Sequence, residues 1–353
     1  MQVLRTSARH EPVEDIVQDY RWFPEDFRAP RQTMSFVFAD RAVLSGQPFL
    51  DHRWNTQSLP QRQATLDDIA KAVSPRGKPV TNFIWHTSFC CSTLLAKALD
   101  TPGRCLALSE PMILVSIADA KRAASLEQGW HLSGLAEAVF HLLARPECDG
   151  AAVLIKPSNF ANILLPDAAR LTAGRSLFLY SDLAGFLVSI TKTGLALRKY
   201  VRKLFTDLVG HQRDRLPWSQ TEIFQMSDLE IAALAWHLQI LEFRDALSAL
   251  GERAVSLNCG AFLDKPLETL LRLDSFFGFG QGTDHWARVV AGPALKRHAK
   301  RPSLAYDASQ RRAEAEDVRR QLGADLERVV EWSYRACPLT PRGVPLGRGL
   351  FDI

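Results

Sequence analysis

Five short apolar runs, each ending in polar residues and each followed by a helix-patterned segment, most constrain what this chain can fold into. They are residues 80–86, 106–108, 151–155, 176–180 and 254–258. A run that is apolar throughout reads as a strand buried on both faces. Strands alternating with helices predict an α/β protein with a central parallel sheet flanked by helices on both faces. Ligands in such sheets lie beyond the carboxyl ends of the strands. His86 to Thr93, Glu110, Lys156 to Asn159, and Ser181 with Asp182 all fall there. The pattern therefore predicts one site.

The first run leads into Thr87-Ser88-Phe89-Cys90-Cys91-Ser92-Thr93 and then a helical pattern through Leu99. A strand, a tight loop of small residues and a helix N-terminus form an anion site. Unpartnered amides and the positive end of the helix dipole converge there. Ser92 and Thr93 add two hydroxyl donors. An ordinary phosphate loop also carries glycine and lysine, and this one has neither.

Boundaries follow from punctuation. Residues 1–65, interrupted by Pro12, Pro24, Pro30, Pro48 and Pro60, are expected to form an irregular N-terminal arm. Residues 66–340 are expected to be the α/β domain, with 195–225 a basic and aromatic insert or lid, and 341–353 a C-terminal tail. Thr65 caps a helix to Val73, Ser227-Asp-Leu-Glu230 is a capping box opening a helix to Leu250, and Asp264-Lys-Pro266 is expected to cap another to Phe277. A last amphipathic helix is expected from about 307 to 335.

Composition excludes several classes. With 353 residues, 46% hydrophobic and 23% charged, the chain is an ordinary globular protein. A net charge of +4 does not imply nucleic acid. No apolar run reaches the ~20 residues of a membrane span, and the polar N-terminus is no secretory signal, so a cytoplasmic location is expected. The cysteines at 90, 91, 105, 148, 259 and 337 make no CxxC pair. Neither a carboxylate cluster nor a histidine pair has ligand spacing, so no metal is expected.

These pieces, in their order from about residue 80 to 280, resemble the sulfotransferase branch of the P-loop proteins. The resemblance implies a P-loop NTPase-like sulfotransferase fold and 3′-phosphoadenosine-5′-phosphosulfate (PAPS) as sulfonate donor. It further implies a hydroxyl or amine acceptor, either small molecule or peptide. Aligned on its Thr-Leu-Leu end, the family's first motif places Ser92 and Thr93 on its hydroxyl pair. Cys91 then stands for its glycine, Cys90 for its serine and Phe89 for its basic residue, with Ser88 preceding. Leu108-Ser109-Glu110-Pro111 is similar to a segment whose glutamate is a catalytic base. Ile155-Lys156-Pro157-Ser158 matches a strand end whose lysine lies near the transferred group. Leu177 to Asp182 with Ser189 matches the 3′-phosphate motif, Ser181 standing where arginine is usual. Val255 to Phe279 is similar to the family's late strand and its Pro-initiated helix.

The implied roles are these. The loop amides, Ser92 and Thr93 hold the 5′-phosphosulfate. Ser181 and Ser189, with Arg297 and Lys300 from the basic 296–301 cluster, hold the 3′-phosphate. Lys156 neutralises charge on the sulfonate, and Glu110 or His86 takes the acceptor proton. Two rival readings stand beside this one. A non-catalytic binding module keeps the fold, and an ATP-dependent kinase would need Asp182 as its magnesium-binding acid.

Overall fold

The computed structural model describes residues 13–73, 77–126, 133–192, 195–296, 308–337 and 340–352. Two sheets organise them. The first is an antiparallel meander in the order β1 (Trp22–Arg28), β2 (Thr33–Phe38), β3 (Gln61–Thr65). It corrects the expectation of an irregular arm over 1–65 for residues 13–65; residues 1–12 of that arm lie outside the described residues. The prolines punctuate this segment without breaking it. Pro24 lies on the edge strand β1 at a register irregularity, where a missing N–H is tolerated. Pro30 lies in the 3₁₀ turn Ala29–Arg31. Phe23, Phe27, Met34, Phe36 and Val37 join one apolar core with Phe83, Trp85 and Phe140.

The second sheet is parallel throughout, in the order β5 (Cys105–Ser109), β6 (Ala152–Lys156), β4 (Asn82–His86), β7 (Ser176–Tyr180), β8 (Ala254–Asn258). Side chains alternate between its faces. Phe83, Trp85 and Phe178 enter one core, while Ile84, Leu177 and Leu179 enter a second on the other side. This is the expected parallel sheet covered on both faces. Gly174, before β7, lies against the Thr81 carbonyl, where a Cβ would come within 1.7 Å of the oxygen. Only glycine lets the two strand entries approach.

The chain leaves β4 toward β5 on one side, whereas the connection from β6 to β7 passes to the other. The order reverses at β4, which makes its carboxyl end the switch point at which open α/β sheets bind ligands. His86, Lys156 and Tyr180 end the three central strands there.

Residues 195–225 form helices Leu195–Gln212 and Gln220–Gln225 around a 3₁₀ turn. Val201, Leu204, Phe205 and Leu208, at helical spacing, are buried against the core, so the first helix is docked. Helix Asp228–Leu250 opens with both bonds of its capping box and ends at Gly251. Helix Pro266–Phe277 has no side-chain cap. Asp264 instead ends the preceding helix Cys259–Asp264, correcting its assignment as a cap. The last helix runs Ala308–Ala336. The tail covers the open edge of β8, Leu350 N–H donating to the Ser256 carbonyl and Ser256 N–H to Arg348. Among the described residues no helix is long and apolar enough to cross a membrane.

Candidate functional site

The turn after β4 is backbone-strained. Ser88, Phe89 and Cys91 have φ of 72°, 55° and 60°. A left-handed conformation costs an L-residue other than glycine roughly 1–2 kcal/mol. It persists only where its surroundings over-determine it, and such strain gathers at functional sites.

Four side chains supply that determination. His86 Nδ1 accepts the Ser88 N–H at 3.1 Å. Ser88 Oγ lies 2.6 Å from the Tyr200 hydroxyl. The Phe89 ring meets Phe186 and Tyr200 edge-on, at 5.7 and 6.0 Å between centroids. The Cys90 thiol is buried against the Leu179 carbonyl, and burial pushes its pKa up to about 11. That thiol is a packing group and no nucleophile.

Helix Ser92–Leu99 begins immediately after the turn, with left-handed Cys91 as its N-cap residue and no side-chain cap. Its first-turn amides have no partner within the helix. Ser92 and Thr93 are buried. No side-chain cap bond closes the helix start. Ser92 and Thr93 therefore do not cap their own helix. A helix N-terminus with two hydroxyl residues in its first turn is the kind of place where an oxyanion binds.

A charged pair lies beside this turn. Lys156 closes β6 with no exposed surface, and its Nζ is 2.5 Å from Glu110 Oε1. Glu110 follows β5, itself left-handed at φ 54°, and its N–H donates to the Lys156 carbonyl at 2.7 Å. Its second oxygen accepts from Arg53 at 3.0 Å. The Phe49 ring has the Arg53 guanidinium 3.5 Å from its centroid and the Lys156 ammonium 5.5 Å away. Leu50 N–H donates to the Ser109 carbonyl and Met112 N–H to Leu50, so the 49–54 segment clamps the Glu110 turn. Turn and pair share one neighbourhood. The Lys156 charge acts on the Cys90 thiol, and Glu110 adds to the burial that raises the Tyr200 phenol above its ordinary pKa.

The other residues singled out in the sequence fall as follows. His86 is buried and its Nδ1 lone pair holds the turn, which assigns the proton of the neutral ring to Nε2. The expected base thereby acts here as a loop support. Ser181, at the end of β7, has a buried hydroxyl with no partner among the described residues. Its carbonyl accepts from the Trp236 indole at 2.9 Å. Ser189 donates to the Gly185 carbonyl at 2.9 Å within its own helix, Leu183–Thr191. Asp182 caps that helix through the Gly185 N–H at 2.6 Å, so the acid a kinase reading needs is already engaged. Arg297 and Lys300 lie outside the described residues. Among those described, no group of three or more metal-binding side chains occurs. Arg53, Phe49 and Tyr200 were not anticipated. Arg53 sits in an aperiodic loop, and Tyr200 is one aromatic within a basic helix.

No family model matches the sequence, and no curated protein matches it. Solved structures similar to the chain include two sulfotransferase domains. One is a sulfotransferase domain from the curacin biosynthetic pathway, 14% identical with a TM-score of 0.43, over 70% of this chain and 99% of that one. The other is the sulfotransferase domain of the Synechococcus PCC 7002 olefin synthase, 15% identical with a TM-score of 0.40, over 69% and 90%. Both belong to the family whose motif order the sequence resembles. At that distance the likeness assigns no residue a role. What strand order and site define by themselves is an α/β protein with a strained turn, a helix N-terminus and a buried lysine–carboxylate pair at its switch point.

Proposed function

We propose that the chain is a sulfotransferase-like enzyme that binds PAPS and transfers its sulfonate to a hydroxyl or amine acceptor. The observation that carries this reading is the placement of the Lys156–Glu110 pair beside a strained turn that opens onto a helix N-terminus. The residues fit the donor's 5′ end. The turn from Ser88 to Cys91 lines it, its amides with the Ser92 and Thr93 hydroxyls hold the oxyanion, and Lys156 supplies the positive charge the turn lacks. At the 3′ end the Ser181 hydroxyl is available, with Arg297 and Lys300 as the proposed cations. The donor supplies an activated sulfonate. As it passes to the acceptor oxygen or nitrogen, its bond to the phosphate breaks and Glu110 receives the acceptor proton. A base must lie within hydrogen-bond reach of that proton. Glu110 therefore exchanges Lys156 for the acceptor, with Arg53 keeping its second oxygen in place. Losing one such electrostatic contact typically costs about 2.7–4 kcal/mol of transition-state stabilisation.

A second reading, a binding module without catalysis, is favoured by the direct contact of Lys156 with Glu110 and by Phe89 at the family's cation position. Titration calorimetry with adenosine 3′,5′-bisphosphate (PAP), run beside radiolabelled sulfonate transfer to a panel of phenols, alcohols and amines, separates the two. Binding with transfer that Lys156→Ala abolishes supports the enzyme. Binding without transfer selects a nucleotide-binding module, and absence of binding retires the enzyme and leaves a module for another partner.

A further inference from the structure

The structure joins the strained turn to neighbouring helices through a chain of polar groups. Ser88 Oγ lies 2.6 Å from the Tyr200 hydroxyl, which donates to Asn159 Oδ1 at 2.7 Å. Asn159 Nδ2 donates to Gln239 Oε1 at 3.2 Å, and Gln239 Nε2 to the Ala235 carbonyl one helical turn back. Asn159 and Gln239 are buried. Because the tyrosine proton goes to Asn159, the hydroxyl accepts from Ser88, and each member has one defined direction. The chain crosses four elements: the turn after β4, helix Leu195–Gln212, the 3₁₀ segment Asn159–Leu164 after β6, and helix Asp228–Leu250. The Tyr200 ring also packs edge-on against Phe89 and against Phe160, at 6.0 and 5.1 Å.

We infer that Tyr200 is a positioning residue that holds the 88–91 turn in its left-handed conformation, doing through its hydroxyl and ring what glycine does in an ordinary phosphate loop. Glycine adopts positive φ without steric penalty, whereas serine and phenylalanine need an external hold. Ser88 and Phe89 are two of the three strained residues, and both contact Tyr200. The third, Cys91, is set by its neighbours and by the helix it begins. Tyr200 is supplied by helix Leu195–Gln212, so the anion cradle is complete only while that helix is docked. The hold itself is a property of the unliganded turn; its effect on nucleotide affinity rests on the proposed function.

Hydrogen exchange on the unliganded protein tests the hold. Tyr200→Phe removes one oxygen and keeps the ring. We expect amide exchange in peptides spanning 87–93 to quicken at least tenfold, with the circular dichroism spectrum and exchange in β6 to β8 unchanged. Adding Ser88→Gly to Tyr200→Phe is expected to slow that exchange again, a rescue that a general packing defect would not show. Exchange unchanged in Tyr200→Phe, or quickened without rescue by glycine, overturns the inference. PAP titration of the same proteins separates the two claims. If the wild type binds PAP, tenfold weaker binding by Tyr200→Phe is expected and unchanged binding overturns the inference. If the wild type binds none while the exchange results hold, the nucleotide reading falls and the role of Tyr200 in the turn stands.

Discussion

Lys156 Nζ lies 2.5 Å from Glu110 Oε1, and the lysine presents no surface to solvent. The two residues are 46 apart in sequence; Lys156 ends β6 and Glu110 immediately follows the adjacent parallel strand β5. A buried ammonium in such a place is tolerable only with a carboxylate against it.

The pair is therefore expected to be strongly coupled. Glu110→Gln leaves the Lys156 charge buried without its counter-charge and should destabilise the fold by about 3 kcal/mol, the low end of the range for breaking buried pairs, since Glu110 keeps some exposure. Lys156→Met combined with Glu110→Gln should recover most of that loss. Urea unfolding of the double-mutant cycle measures it. Additive losses would mean that the contact is not energetically real.

At Cys91 the backbone, and not the thiol, sets the energy. Cys91→Gly should stabilise by about 0.5–1 kcal/mol by relieving the left-handed strain. Cys91→Val should cost about 1–2 kcal/mol, since β-branched residues disfavour positive φ most. Equal stabilities for the two variants would contradict the conformation described.

Ser92 and Thr93 lie buried at the helix start and make no side-chain cap there. Ser92→Ala and Thr93→Val should each alter unfolding free energy by no more than about 0.5 kcal/mol. Each should weaken PAP binding about tenfold, or about 1.4 kcal/mol. Calorimetry of the two variants decides this. A large stability loss with unchanged affinity would assign them to packing.

His237 predicts the pH response. Its Nε2–H donates to Ser333 Oγ at 3.1 Å, the serine donating in turn to Val330. Nδ1 is buried with no partner among the described residues, so a second proton would have no acceptor. Burial lowers the pKa from 6.5 to about 4. In that interval the unfolded chain binds the proton and the folded one does not, so stability rises with pH. The contribution is complete above pH 6.5 and is lost as pH falls toward 4, amounting to about 3 kcal/mol. His237→Gln should flatten the urea midpoint between pH 4.5 and 6.5. A midpoint whose slope is unchanged by the substitution would show that other groups carry the response.

Local chemistry made much of the architecture legible. The run Ser176–Tyr180 is apolar after its first residue because both faces of β7 are covered, and its limits were readable to the residue. Ser227 and Glu230 marked a helix start because a capping box is satisfied within four residues. The N-terminal meander was missed because β1 carries a bulge and an edge proline, which erase strict alternation. Asp264 misled for a related reason: the residues before Pro266 belong to another helix, and proline alone opens the next.

The sequence by itself determined the alternating elements, the strand-end positions of His86, Glu110, Lys156 and Ser181, and the absence of glycine and cation from the turn. Those follow from interactions spanning a few residues. Only the tertiary structure decided that Glu110 and Lys156 meet, that Arg53 and Phe49 close over them, and that Tyr200 holds the turn. Each of those pairings depends on strand order and helix docking, which bring together residues 46 to 112 positions apart, and no local periodicity encodes a contact across such a distance.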